Sequence, residues 1–453
     1  LGGSRSFYIF AALFEINLNK MKKNILSLFV LGLAFVSCSD DDNNEPPGPV
    51  LNIPTVNQVI TGNDFSRGSN GDYNNNYISN YSTLFTRDGS STVSFGGQTT
   101  RLKQAKEIGG NLKTQTSVAD IRLKFEGQDG ESAGFSDASL NGTTKIVRSK
   151  TSSSIDLFNG TNASGQGQTN VSAIDAFITG HQTVLDNWTT TAASGQAGTF
   201  EDSDGSTRYV DAKGRELDQL FTKTLSGALA YDQSVNHYLN RLDSENGNTA
   251  DGKDYRALND AGTVADGKSY TTMEHHWDES FGYIFGNTSG QNLIYKYIDN
   301  VDGLSKFAGT ERQIFEAFVV GRIAIANKDY SSRDAQIGVL REKLGLIIAV
   351  RAVHYLSGGA KIIDAAGSGT SGKREDAFHD LCEGYGFVNS LRYVVNSGGA
   401  RYFTDSEVDG FLATLDANNG LWDVTSTQLR DIADSIAAKS VGGLSWTLDD
   451  VNP

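Results

Sequence analysis

Cysteine is nearly absent from this 453-residue chain, which has 2. A disulfide-stapled scaffold and a four-cysteine zinc site are therefore excluded. Proline is scarce at 5 residues while glycine reaches 50, so neither a collagen repeat nor a Pro-rich linker protein fits. Basic charge is in deficit: 39 Lys+Arg stand against 54 Asp+Glu, for a net charge of −15. A nucleic-acid binder needs a basic stripe to displace counterions, and that class is set aside. The chain also lacks a Walker loop, a dinucleotide fingerprint, a G-x-S-x-G elbow and the H-E-x-x-H of zinc peptidases. Its 38% apolar content is still enough for a packed core at this length.

The N-terminus carries a processing signal. Met21-Lys22-Lys23 is basic, and residues 25–36 are apolar apart from Ser27 and Gly32. That run is shorter than the roughly 20 residues a membrane span needs, so it reads as a signal peptide over 21–37. It ends at Val36-Ser37-Cys38, which resembles a bacterial lipobox. The resemblance implies cleavage before Cys38 and lipidation of that residue. Residues 1–20 precede the start methionine and read as an upstream extension. Residues 38–54 begin Ser39-Asp40-Asp41-Asp42, which suits a disordered acidic tether. The tether resembles the export tag of surface lipoproteins from Bacteroidetes-type bacteria, and a plain solvated spacer is the alternative. Processing would remove Arg5, Lys20, Lys22, Lys23 and Glu15, taking the net charge from −15 to −18. No later apolar stretch approaches 18 residues, so the expected body is soluble and tethered by lipid to the outer membrane, exposed at the cell surface.

The fold expected is all-α. Apolar residues recur at helical spacing over 171–191, 216–242, 310–327, 334–356, 376–396, 406–415 and 427–439. Thr404-Asp405 and Thr425-Ser426 are N-cap candidates for the last two. Residues 92–95 and 121–125 are the best short strand candidates. Gly/Ser/Asn-rich loops are expected at 62–76, 127–142, 152–170, 246–269 and 365–372. The loop at 246–269 would divide the body into an N-terminal half, 55–250, and a C-terminal half, 270–453, unless the two share one core.

The most informative feature is a duplication 104 residues apart. His275-His276-Trp277-Asp278-Glu279-Ser280-Phe281-Gly282-Tyr283-Ile284 matches His379-Asp380-Leu381-Cys382-Glu383-Gly384-Tyr385-Gly386-Phe387-Val388. Both copies read H-x-x-x-E, small, aromatic, Gly, aromatic, β-branched. At about 100° per residue, His, Glu and Gly fall on one stripe of each helix. Two such stripes facing each other would bring His275, Glu279, His379 and Glu383 together, with His276 as a further ligand. A divalent transition metal, iron or zinc, would satisfy that set. A structural polar network in which each His bonds its own Glu would satisfy it as well. Glycine costs about 1 kcal/mol in a helix relative to alanine, so Gly on both stripes implies close backbone approach. Asp278 is a supporting candidate. Arg322, a lone cation in an apolar helix, should pair with a buried carboxylate such as Glu279 or Glu383. Cys382 reads as a small core residue or else a soft extra ligand. His181, His237 and His354 read as packing or surface residues.

Met273-Glu274-His275-His276-Trp277-Asp278-Glu279, together with residues 379–385, resembles a family of Bacteroidetes lipoproteins carrying a domain of unknown function. More distantly, His276-x-x-Glu279 looks like the H-x-x-E core of imelysin-like proteins, although Glu274 stands where that core has Gly. That likeness implies a pair of helical bundles and a role in iron acquisition. The reading that follows is a non-catalytic surface lipoprotein that binds iron or an iron complex for uptake. A metal-dependent hydrolase with Glu279 or Glu383 as base, and a structural partner module of an outer-membrane transporter complex, are the alternatives.

Overall fold

Helical periodicity organises nearly everything that can be described. The computed structural model describes residues 50–62, 65, 76–158, 165–245, 253–286 and 293–452. The signal peptide, Cys38 and most of the acidic tether lie outside these residues. Within them the chain is all-α apart from two small antiparallel sheets. One sheet joins β1 (Leu51–Asn52), β2 (Thr86–Arg87) and β3 (Ser90–Ser91), with Leu51 opposite Arg87 and Thr86 opposite Ser91. The other is the hairpin of β4 (Gly198–Glu201) and β5 (Thr207–Val210).

The principal helices are α1 (Asn76–Leu84), α2 (Gly96–Asn111), α3 (Val118–Glu126), α4 (Gly165–Asp186), α5 (Leu217–Leu225), α6 (Thr272–Phe285), α7 (Tyr295–Asp302), α8 (Thr310–Ala326), α9 (Tyr330–Gly367), α10 (Phe378–Ser390), α11 (Asp405–Leu415) and α12 (Ser426–Ala437). Helix α5 runs on as a π-helix over Ser226–Tyr238, in which every residue is buried. The expected caps are present: Thr404 Oγ1 accepts from Glu407 N and Thr425 Oγ1 from Gln428 N, each at 3.2 Å, and both complete capping boxes.

Helix α9 is the axis of the body. Its middle, from Leu344 to Val353, is apolar nearly all round, which drives the helix inside. By length and composition it could cross a membrane, but 72% of its apolar window is buried by neighbouring protein. Helices α8, α10 and α12 pack along it. Helix α5 packs on α10, and the π-helical stretch packs on α6. Residues of 55–250 and 270–453 therefore share one core rather than forming two separate bundles.

Two expectations fail locally. Residues 121–125 lie in α3, not a strand. Ile121 and Phe125, one helical turn apart, are fully buried while Leu123 is only half-buried. Ser117 Oγ caps the start, accepting from Asp120 N at 3.1 Å, and Gly127 ends it at φ 73°. Residues 92–95 form no strand either; they connect β3 to α2.

Candidate functional site

Each copy of the duplicated motif sits on a helix whose glycine permits close packing. A side chain on Gly282 would meet Phe95 Cβ at 2.4 Å, and one on Gly386 would meet Lys223 Cβ at 2.4 Å and Thr224 N at 3.0 Å. The approach implied by the sequence is real, but each glycine faces a different neighbour. The two His/Glu stripes do not face each other. Helix α6 serves the π-helical stretch and α2, while α10 serves α5. Among the described residues, no three of His, Cys, Asp and Glu are placed to hold a metal ion. The donor set of His275, Glu279, His379, Glu383 and His276 therefore does not fit an ion held by protein ligands.

In the first copy, His275 Nε2 lies 3.7 Å from Glu279 Oε2, and the imidazole stacks on Tyr270 at 4.4 Å. Burial lowers the His275 pKa despite Glu279 beside it, so the ring is neutral at pH 7. Glu279 Oε1 accepts from Gln98 Nε2 at 2.8 Å and from the Tyr238 hydroxyl at 3.2 Å. His276 turns elsewhere: its Nδ1 donates to the Arg241 carbonyl at 2.9 Å.

The second copy sets its histidine between two carboxylates. His379 Nδ1 donates to Glu216 Oε1 at 3.0 Å, and Nε2 lies 3.7 Å from Glu383. The Arg208 guanidinium is 2.9 Å from the same Nδ1. Only one of these can be a hydrogen bond through that nitrogen, and the carboxylate is the better partner for a ring whose pKa is raised. Burial opposes that rise, but Glu216 more than offsets it. Glu383 takes Lys223 Nζ at 3.1 Å. Burial alone would raise the Glu383 pKa; Lys223, the Tyr355 hydroxyl and His379 hold it below the usual carboxylate range.

Beside this pair opens a cleft of about 480 Å³, lined among others by Lys106, Lys113, Lys223, Lys296, Asp218 and His379. Four lysines in one cleft are notable in a chain of net charge −15. Among the described residues, Lys106, Lys113 and Lys296 make no ion pair; Lys223 is engaged by Glu383 and Gln219. Asp218 is pushed up to about 6 by burial and by Glu216. The lining carries four ammonium groups beside two carboxylates, the raised Asp218 and Glu383, which Lys223 engages.

The supporting residues are placed differently from expectation. Arg322 does not meet Glu279 or Glu383. It bonds Glu274 and Asp278, each at 3.1 Å, in a fully buried network completed by Tyr81, Thr92 and Arg87. One turn separates Glu274 from Asp278, so one guanidinium reaches both. Cys382 is a buried core residue; its sulfur accepts from Glu216 N at 3.2 Å. His181 and His354 are packing residues bonded to the Thr114 and Val451 carbonyls. The lysine cleft escaped sequence reasoning, although Lys106 and Lys113 are two helical turns apart and so share a side of α2 and its C-terminal extension.

The family described as Domain of unknown function (DUF4856) matches residues 79–441. Among curated proteins and among solved structures, none matches the chain.

Proposed function

We propose, for a chain that belongs to the DUF4856 family, the function of a surface-anchored lipoprotein that binds an anionic small molecule without transforming it. The observation that carries this reading is the cleft of Lys106, Lys113, Lys223 and Lys296 beside His379. Lys106, Lys113 and Lys296 are exposed and make no ion pair among the described residues, so their ammonium groups are free to attract carboxylate or phosphate groups. The lipobox at Cys38 and the acidic tether support the outer-membrane, cell-surface location.

The imelysin-like H-x-x-E and the all-α fold support a role in iron acquisition. In that role iron is cargo, carried by an anionic chelator, since the His/Glu pairs do not assemble an ion site. An outer-membrane transporter is the partner such cargo requires. No hydrolytic step is assigned.

Calorimetric titration of the full chain tests this. Ferric citrate and citrate should both bind, and Lys113→Gln/Lys296→Gln should weaken both at least tenfold. Equal affinity in the double variant would refute the reading. A structural partner module remains the second reading. It is favoured by the internal engagement of Glu279 Oε1 by Gln98 and Tyr238, and of Glu383 Oε1 by Lys223. It expects capture of an outer-membrane transporter with no dependence on ligand or on the lysines.

A further inference from the structure

The hairpin of β4 and β5 has one covered edge and one open edge. Residues 190–192 cover β4: Thr199 N donates to the Thr190 carbonyl at 2.7 Å, and Ala192 N donates to the Thr199 carbonyl at 2.9 Å. Thr199 therefore turns its backbone groups away from β5, and Tyr209 opposite it forms a non-hydrogen-bonded pair. Tyr209 in turn points its own N–H and C=O away from β4. Thr207, two residues earlier, does the same. On that side neither backbone meets a hydrogen-bond partner among the described residues.

The open edge borders a cavity of about 180 Å³, lined by Thr207, Arg208 and Tyr209 in succession and by Lys113, Glu216 and His379. Side chains alternate between the faces of a strand, so a space that touches three consecutive residues runs along the edge. On one side this cavity shares Lys113, Asp218 and His379 with the lysine cleft of about 480 Å³. On the other it shares Arg208 and His379 with a space of about 470 Å³ that holds Asp202, Asp204, Asp376 and Asp380. Arg208 engages Asp202 at 2.6 Å, and Ser203 Oγ engages Asp376 at 2.6 Å. Asp380 makes no hydrogen bond or ion pair among the described residues. Asp204 is 67% exposed, with Arg208 3.9 Å away. The three spaces form one groove, basic at one end and acidic at the other. A single cavity of about 300–1,000 Å³ suits a compact small molecule, and three in line suit an extended one.

We propose that β5 takes an extended peptide segment of another protein as an added strand. Acidic side chains of that segment enter the lysine cleft, and a basic side chain lies beside Asp204 and Asp380. The N–H and C=O groups of Thr207 and Tyr209 supply the pairing, which any extended peptide can use. The charged ends of the groove supply the selection. An unpaired edge is a template for pairing unless it is covered or blunted by Lys or Pro. Residues 207–209 include neither, and the Arg208 guanidinium is turned to Asp202 and Glu216. The placing of the acidic end rests on the anion-binding reading of the lysine cleft, whereas the pairing along β5 does not.

The probe is the peptide acetyl-Asp-Asp-Thr-Val-Thr-Val-Lys-amide, titrated calorimetrically into the full chain, with citrate titrated separately. An added strand bonds to the edge through every second residue. N-methylation of one alternate set of peptide amides should therefore weaken binding at least tenfold, and methylation of the other set should leave it nearly unchanged. Thr207→Pro removes an outward N–H that the hairpin does not use, at an edge position where proline is tolerated. It should weaken the peptide at least tenfold and leave citrate unchanged, while Lys113→Gln/Lys296→Gln should weaken both. No peptide binding, equal effects of the two methylated sets, or unchanged peptide affinity in Thr207→Pro would each overturn the strand addition, whatever citrate does. Alternating losses in the peptide without any citrate binding would uphold the strand addition and overturn the small-molecule reading alone. Where Thr207→Pro does not fold, the methylated peptides still decide.

Discussion

Replacing Gly386 with alanine sets two effects against each other. In an open helix the change stabilises by about 1 kcal/mol, because alanine loses less backbone entropy. Here the new methyl would stand 2.4 Å from Lys223 Cβ, 3.0 Å from Thr224 N and 3.1 Å from Lys223 C. Two of these atoms belong to the α5 backbone, so α5 must move by roughly 1 Å to restore ordinary contact. Overpacking of that kind costs about 3 kcal/mol at the upper end of its usual range. The net effect is a loss of about 2 kcal/mol. The shift also pulls Lys223 from Glu383, now 3.1 Å away. Gly410 in α11 is the control, since a methyl there meets nothing within 4 Å. Gly410→Ala should stabilise by up to about 1 kcal/mol. The two identical substitutions should therefore move the urea midpoint in opposite directions, read by circular dichroism. If Gly386→Ala raised the midpoint as Gly410→Ala does, the close approach of α10 to α5 would be refuted.

Arg322→Met should destabilise by about 3–5 kcal/mol, because it strands Glu274 and Asp278 without their cation; a midpoint shift of less than 1 kcal/mol equivalent would contradict the buried network. Thr425→Ala should cost about 1 kcal/mol through loss of the α12 cap, measurable in the same unfolding assay. Anion affinity of the lysine cleft should rise as pH falls from 8 to 5. Asp218, raised to about 6, becomes neutral over that range, and His379, also raised, gains its proton. The matching linkage has a definite sign: the stability from these raised values is fully present below the unfolded pKa of each group. It is lost as pH rises through about 6 for Asp218, and through a value above 6.5 for His379. Asp218→Asn should flatten the lower part of the affinity profile, and titrations at pH 5 and 7.5 decide it.

The all-α fold was legible because most helices advertise themselves by apolar spacing. Those at 310–326, 405–415 and 426–437 were placed within a residue or two, helped by Thr404 and Thr425. Helix α2 was not, since its buried side includes Gln98, Arg101 and Gln104 alongside Leu102, Ala105 and Ile108. A polar residue turned inward looks the same as a surface residue to any periodicity argument. The same blindness explains the site. The duplicated motif gave the helices, the glycine packing and both His/Glu pairs. It could not tell that the stripes address different neighbours, because the residues between them, Lys223 and Tyr238 above all, come from the stretch beginning at Leu217. Arg322 was correctly read as paired, but its partners were missed for want of the α6 orientation. The lysine cleft draws on segments near residues 110, 220, 295 and 380, and such long-range assembly leaves almost no local mark.

Cys382 gives this architecture a clock. Its thiol is fully buried on α10, and burial pushes its pKa well above the usual thiol value. It therefore reacts with a maleimide only when α10 parts from α5. Of the chain's 2 cysteines, the other is Cys38, far outside the core helices in sequence. A Cys38→Ser chain thus reports a single labelling rate. That rate measures how often the helix carrying His379 and Glu383 detaches, and any ligand that tightens the cleft should slow it in proportion to its occupancy.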